Sequence, residues 1–257
     1  MKKGSYSAPS VKKAYKILQM ISDSRNGFGI SEIAKQLKIG KSTVHGITTA
    51  LEDLGLLVRE PLHKKYQMGY SLLELSRKFH RKMELRDIAK VPMEKLMEKV
   101  EESVFLGIMN GDHITVLDVV ESHHEMKITA PPGTRLPLLA GAIGKVFLGQ
   151  LEEEKAKGIL RKMGLKKYTS KSIADAKKYM KEVEEARKKG CAIDDEEYLP
   201  GVRAVAASLQ TGSLAPAAIW VVGFTSSFTD QKVEEVISEI RKTAQEINRS
   251  LQEQGRH

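Results

Sequence analysis

Ile30-Ser-Glu-Ile-Ala-Lys-Gln-Leu37, then Lys38-Ile-Gly40, then Lys41-Ser-Thr-Val-His-Gly-Ile-Thr-Thr-Ala-Leu-Glu-Asp-Leu-Gly55 is the stretch on which the fold turns. Ile30, Ile33, Ala34 and Leu37 fall at the i, i+3, i+4, i+7 spacing of a short amphipathic helix, with Ser31 as its expected N-cap. Val44, Ile47, Leu51 and Leu54 stripe a second helix that stops at Gly55. Two helices of this size, joined by a short turn containing Gly, form the helix-turn-helix pattern. The second helix of such a pair lies in the major groove of DNA with its N-terminal residues near the base edges. Its polar face here reads Lys41, Ser42, Thr43, His45, Gly46, Thr48 and Thr49. That is one cation for phosphate, and short donors and acceptors that let the backbone come close. A mid-helix Gly costs about 1 kcal/mol against Ala. Gly46 either permits unusually close backbone approach or is tolerated, with tolerance the preferred reading.

Working outward, Val11, Ala14, Ile17, Leu18 and Ile21 predict a preceding helix over residues 10–20, broken by Asp23-Ser-Arg-Asn-Gly27. On the other side, Leu57-Val-Arg59 and Lys65-Tyr-Gln-Met68 read as two short strands around Pro61-Leu-His-Lys64. This is a wing, with Lys64 and Lys65 at its tip facing the sugar-phosphate backbone. Arg59 on the first wing strand and Ser31 complete the candidate DNA contacts. Residues 71–90 predict a long helix carrying Leu72, Leu75, Phe79, Met83 and Ile88 among Arg77, Lys78, Arg81, Lys82 and Arg86. It is expected to link the DNA-binding part to the rest and to help pair subunits.

The remainder alternates differently. Pro92 suits the first turn of a helix through Val100. Residues 104–109 and 114–120 around Asn110-Gly111 form a hairpin signal. Met126-Lys-Ile-Thr-Ala130 predicts a third strand, followed by a loop at Pro131-Pro-Gly-Thr134. Helices are expected over 140–150, 152–163 and 173–189, strands over 191–193, 202–209 and 217–222, and a final helix over 230–254. The class is α+β with a mainly antiparallel sheet. The expected division is a winged helix-turn-helix domain over 8–70, a linker helix over 71–90 and a second domain over 91–257.

Charge follows the same division. The chain of 257 residues carries 42 Lys+Arg and 33 Asp+Glu, a formal net charge of +9. Residues 1–90 hold 18 basic and 8 acidic residues, and the rest hold 24 and 25, so all the positive excess lies in the first third. Such asymmetry points to a polyanion-binding module joined to a neutral partner. Cys191 is the only cysteine, which excludes an internal disulfide and a Cys-based zinc finger. Met1-Lys2-Lys3 is followed by no apolar run like that of a signal peptide, and no apolar stretch nears the ~18 residues of a membrane span. The expectation is a soluble, cytoplasmic, reduced protein with no membrane contact.

Motifs of catalysis are weak. Ala142-Ile-Gly-Lys145 has Leu139 where a phosphate loop needs its first Gly, and Val146 where it needs Ser or Thr. Ser10-Val-Lys-Lys13 has the Ser-x-x-Lys spacing of penicillin-recognising enzymes without their other motifs. His113, His123 and His124 lack the Cys or carboxylate spacing of a metal site, and a solvated loop pair is the simpler account of His123-His124. Asp194-Asp-Glu-Glu197 reads as a solvated turn, although one acid could face a cleft beside Gly201-Val-Arg203. No nucleophile or paired acid and base completes an active site, so no enzyme and no cofactor are expected. An enzyme with an appended DNA-binding domain and an architectural DNA-binding protein are the alternatives. A dimerisation device would not need so large a second domain.

Two ordered motif sets resemble the IclR-type transcriptional regulators. The first is Ser31-Glu-Ile-Ala34, Leu37, Lys41-Ser-Thr-Val-His45, Leu51 and Leu54-Gly-Leu56. The second is Gly144-Lys145, Gly190-Cys-Ala-Ile-Asp-Asp-Glu-Glu197, Gly201-Val-Arg203 and Ala206-Ala207. The resemblance spans nearly residues 10–252. It implies a winged DNA-binding domain, a linker helix and a GAF-like effector domain. It also implies a homodimer or homotetramer on a pseudo-palindromic double-stranded operator, repressing or activating catabolic genes. Carried over by position, the effector pocket would include Ala142, Ile143, Asp194, Val202, Ala204, Trp220 and Val222. Strand alternation alone adds Met126 and Ile128. Members that bind small polar acids often have Cys at the position of Ala204 and Ser at those of Trp220 and Val222. Three apolar residues there, one of them the chain's only tryptophan, favour a flatter, more apolar ligand such as an aromatic carboxylate.

Overall fold

The computed structural model describes residues 8–80, 84–212 and 215–254. The chain divides into two compact units, Met1–Met83 and Glu84–His257.

The first unit contains α1 (Pro9–Ser22), α2 (Ile30–Leu37), α3 (Lys41–Asp53), β1 (Leu57–Arg59), β2 (Tyr66–Met68) and α4 (Ser71–His80). Ile17, Ile21, Ile33, Ala34, Val44, Leu51, Leu57 and Tyr66 form its core. The turn between α2 and α3 is tight because Lys38 takes a left-handed conformation at φ +53, its N–H bonding back to Ala34. The N-cap of α2 is Gly29, not Ser31, which lies inside the helix. Glu32 supplies the capping group: its carboxylate accepts the Gly29 N–H at 2.7 Å. β1 and β2 pair antiparallel, and Phe28 adds a bridge to Tyr66, the first residue of β2.

The second unit contains α5 (Glu84–Val100), β3 (Ser103–Asn110), β4 (His113–Val120), β5 (Arg135–Pro137), α6 (Gly141–Gly149), α7 (Glu153–Met163), α8 (Ala176–Lys189), β6 (Cys191–Asp195), β7 (Val202–Leu209), β8 (Ala217–Phe224) and α9 (Asp230–Gln254). The strands form one antiparallel sheet in the order β5-β4-β3-β8-β7-β6. Helices α5 and α9 pack together against β3, β7 and β8. Helices α6, α7 and α8 cover the opposite face, where Phe105, Val116, Ala204, Ala206, Trp220 and Val222 meet Ala142, Phe147, Leu160 and Val183. The alternation of each strand divides its residues between these two layers.

Of the helix expected over 71–90, residues 71–80 form α4 and residues 84–90 open α5, while Arg81, Lys82 and Met83 lie outside the described residues. Two other expectations need correction. Pro92 sits inside α5 rather than in its first turn. The buried stripe of Leu85, Ala89, Met93, Leu96 and Val100 carries the helix past a residue that removes one backbone donor. Residues 126–130 are not a strand. The chain returns to β4 only at Gly133, whose N–H bonds Val116, and β5 follows at Arg135.

Candidate DNA interface and effector site

On α3 the core stripe is Val44, Thr48 and Leu51. At about 100° per residue, Thr48 stands only about 40° around the helix from Val44, at the edge of the buried face. It is fully buried, and its hydroxyl donates to the carbonyls of Val44 and His45, both at 3.0 Å. Thr48 therefore belongs to the core and not to the DNA-facing set. Leu54, expected in the stripe, is 64% exposed at the helix C-cap. Lys41, Ser42, His45 and Thr49 are exposed, and Thr43 is half-buried. Gly46 faces open space, with nothing within 4 Å of where a Cβ would stand.

The wing presents Arg59 and Lys64 to solvent. The Arg59 guanidinium lies 5.6 Å from the centre of the Tyr66 ring, which fixes its stem beside the core. Lys64 turns the tip at φ +55. Lys65 is half-buried and lies 4.0 Å from Glu32, so it leans towards α2. Ser31 is exposed on α2. Sequence reasoning passed over Leu62, which projects from the tip 86% exposed.

In the second unit, six of the nine predicted effector residues are buried on one layer: Ala142, Ile143, Asp194, Ala204, Trp220 and Val222. Asp194, Ala204 and Val222 form one row across β6, β7 and β8, and Ala206, Trp220 and Phe105 form the next across β7, β8 and β3. Val202 and Ile128 are half-buried against the same core. Met126 is 78% exposed, because the strand expected to direct it inwards does not form.

Trp220 is 2% exposed and stacks on Phe105, with ring centroids 5.5 Å apart and planes at 6°. Its indole occupies space left by Gly107, where β3 shifts register against β4. Asp194 sits against the first turn of α6. Its Oδ2 fills the position a side chain on Gly141 would need, and Gly141 has φ +49. Its Oδ1 accepts the Glu197 N–H at 2.6 Å. Burial pushes the Asp194 carboxyl up to about 6, helped by the Glu197 charge and opposed by that N–H and by Lys145.

The other acids of the run have structural partners. Asp195 accepts from Arg203 at 2.6 Å and Lys171 at 3.0 Å. Glu196 accepts from Lys171 and from the Gly201 N–H. Glu197 pairs at 2.5 Å with Lys145, which is buried on α6 and also donates to the Ile193 carbonyl at 3.0 Å. Arg203 reaches the Phe228 carbonyl and Asp230 besides. Lys145 is thus the pin that ties α6 to the β6 edge. Its partners lie 48 and 52 residues away, so no local pattern announces it. Among the described residues no three His, Cys, Asp or Glu side chains gather to hold a metal, and no helix is long and apolar enough to cross a membrane.

A helix-turn-helix with a basic wing, followed by an α+β unit with a buried acid at a helix start, defines a ligand-responsive, DNA-binding transcriptional regulator. Residues 10–61 match the IclR helix-turn-helix domain and residues 78–249 the C-terminal domain of the bacterial transcriptional regulator IclR. The chain belongs to the IclR family. It is 30% identical over 237 residues to the HTH-type transcriptional regulator BhcR of Paracoccus denitrificans, covering 92% of this chain and 85% of that one. It is likewise 30% identical over 241 residues to the transcriptional repressor IclR of Escherichia coli, covering 93% and 88%. An IclR homologue from Microbacterium hydrocarbonoxydans, solved in complex with 4-hydroxybenzoate, superposes with a TM-score of 0.79 at 20% identity over 95% of this chain and 99% of that one. The chain is a regulator rather than an enzyme.

Proposed function

We propose that the protein controls catabolic genes as a homodimer or homotetramer whose operator affinity is set by an apolar or aromatic carboxylate. Lys41, Ser42, Thr43, His45 and Thr49 would read the major groove, with Arg59, Lys64, Lys65 and Ser31 on the backbone. Two subunits would address half-sites about 34 Å apart or a multiple of that. The exposed apolar residues Tyr70, Leu73 and Leu75 around α4 support pairing of copies there.

The observation that carries the effector class is the apolar set Ala204, Val222 and Trp220, on two neighbouring rows of one sheet face, beside the buried acid Asp194. That the same fold holds 4-hydroxybenzoate in a relative supports an aromatic acid. The ligand must bind the DNA-competent and incompetent arrangements with different affinity to shift their populations. A coupling of ~1–3 kcal/mol is ordinary.

Two measurements test the reading. Binding to the intergenic DNA beside the protein's own gene should exceed binding to scrambled DNA roughly a thousandfold. Equal, steeply salt-dependent affinity for both would favour an architectural role. Titrating aromatic acids against Trp220 fluorescence and against that DNA complex should then show one compound moving both. The tight Trp220–Phe105 stack favours a second reading, in which the indole fills the cavity and the unit only assembles subunits. A panel that perturbs neither signal would establish it.

A further inference from the structure

Contacts with phosphate do not explain the wing tip. Leu62 is among the most exposed large apolar residues of the protein, at 86%, and it follows Pro61 on a turn flanked by Arg59 and Lys64. The turn is held in shape. The Glu60 carboxylate accepts the N–H groups of Leu62 at 3.2 Å and His63 at 2.8 Å, and lies 2.9 Å from the His63 ring nitrogen Nδ1. Those bonds hold its carboxyl below the usual range. The Glu60 N–H closes the base of the loop on the Lys65 carbonyl at 2.8 Å. An acid so close to DNA would repel phosphate, and its bonds fix instead the backbone that presents Leu62. A pre-ordered apolar side chain between cations suits one surface: a groove floored by bases and walled by phosphates.

We propose that Leu62, backed by Pro61, is a wedge that enters the minor groove and partly unstacks one base step, with Arg59 and Lys64 on the flanking phosphates. Apolar wedges of this kind bend the duplex towards the major groove. The step beneath Leu62 would be a deformable pyrimidine–purine step, selected without any hydrogen bond to a base. This inference rests on the reading of the wing as a DNA contact.

The test uses the full chain and circularly permuted operator fragments. Wild type should bend the operator by at least about 20°. Leu62→Ala, at a position outside the core, should remove most of that bend, weaken operator binding roughly tenfold and leave the salt slope unchanged. Lys64→Gln should keep the bend and lower the salt slope by about one. An unbent wild-type complex, or a Leu62→Ala complex bent like wild type, overturns the wedge. So does a Leu62→Ala variant that changes only self-association, which would assign the tip to a second copy of the chain. Absence of specific operator binding by wild type would instead overturn the underlying reading of function.

Discussion

The Trp220 indole and the Phe105 ring stack across the β3–β8 seam at 5.5 Å, and the absence of a side chain at Gly107 makes this possible. A Cβ there would stand 2.8 Å from the indole Cη2 and 2.9 Å from the Thr115 carbonyl oxygen. Gly107→Ala should therefore destabilise the protein by about 1–3 kcal/mol through overpacking. Denaturant unfolding followed by Trp220 emission measures it. An unchanged midpoint with unchanged emission would contradict the described stack.

Asp194 links stability to pH. Its carboxyl, ordinarily at 3.8 unfolded, rises to about 6 in the folded protein. A raised carboxyl binds its proton more tightly when folded, so the contribution of this one group is most favourable below about pH 4 and is lost as pH rises to about 6. Above that the cost is constant, on the order of 3 kcal/mol. Asp194→Asn should raise the melting temperature at pH 8, and the gain should vanish near pH 4. A gain independent of pH would rule out the buried charge as its cause.

The buried Lys145 pairs at 2.5 Å with Glu197, whose carboxylate is half-buried. Lys145→Met removes the cation and leaves Glu197 and the Ile193 carbonyl without it, at a cost of about 3–5 kcal/mol. Adding Glu197→Gln should recover part of the loss, because the stranded charge goes with it. Equal stability of the single and double variants would show that the stranded Glu197 charge is not the source of the loss.

Thr48 and His45 should separate stability from recognition. Thr48→Ala leaves the exposed face of α3 intact, so its specificity ratio for operator over scrambled DNA should stay within about twofold, while stability falls by about 1 kcal/mol. His45→Ala should do the reverse. A Thr48→Ala protein of normal stability with lost specificity would return Thr48 to the interface.

The open space around Gly46 gives a third contrast in the same helix. Gly46→Ala should stabilise the free protein by about 1 kcal/mol and leave operator affinity within about threefold. A larger loss of affinity would mean that DNA, rather than the protein, requires the glycine.

The helix-turn-helix is legible because its information is local: two apolar stripes of period 3.6 and a turn with Gly40 between them. The same rule, applied by hydropathy alone, misplaces Thr48 and Leu54. A hydroxyl can enter the core once Val44 and His45 supply acceptors, and Leu54 falls where the helix ends. Residues 126–130 mislead because Met126, Ile128 and Ala130 alternate locally, whereas the sheet takes the segment that reaches Val116, which is Gly133–Thr134. Asp194 and Trp220 are placed by resemblance rather than by any local pattern. The sequence around Lys145 offers only an incomplete phosphate loop and a Gly-Lys pair, since only the folded chain brings Ile193 and Glu197 to it.

The bond from Lys145 to the Ile193 carbonyl has one more consequence. β6 is the outermost strand of the sheet, and residues 191, 193 and 195 turn their backbone groups away from β7. An open strand of this kind is a template on which another chain can extend the ladder. With the middle carbonyl already taken by an ammonium group, an incoming strand meets a blocked acceptor halfway along. Growth by strand addition is interrupted at that rung, so the open edge of the sheet is guarded against extending its ladder with a second copy of the chain.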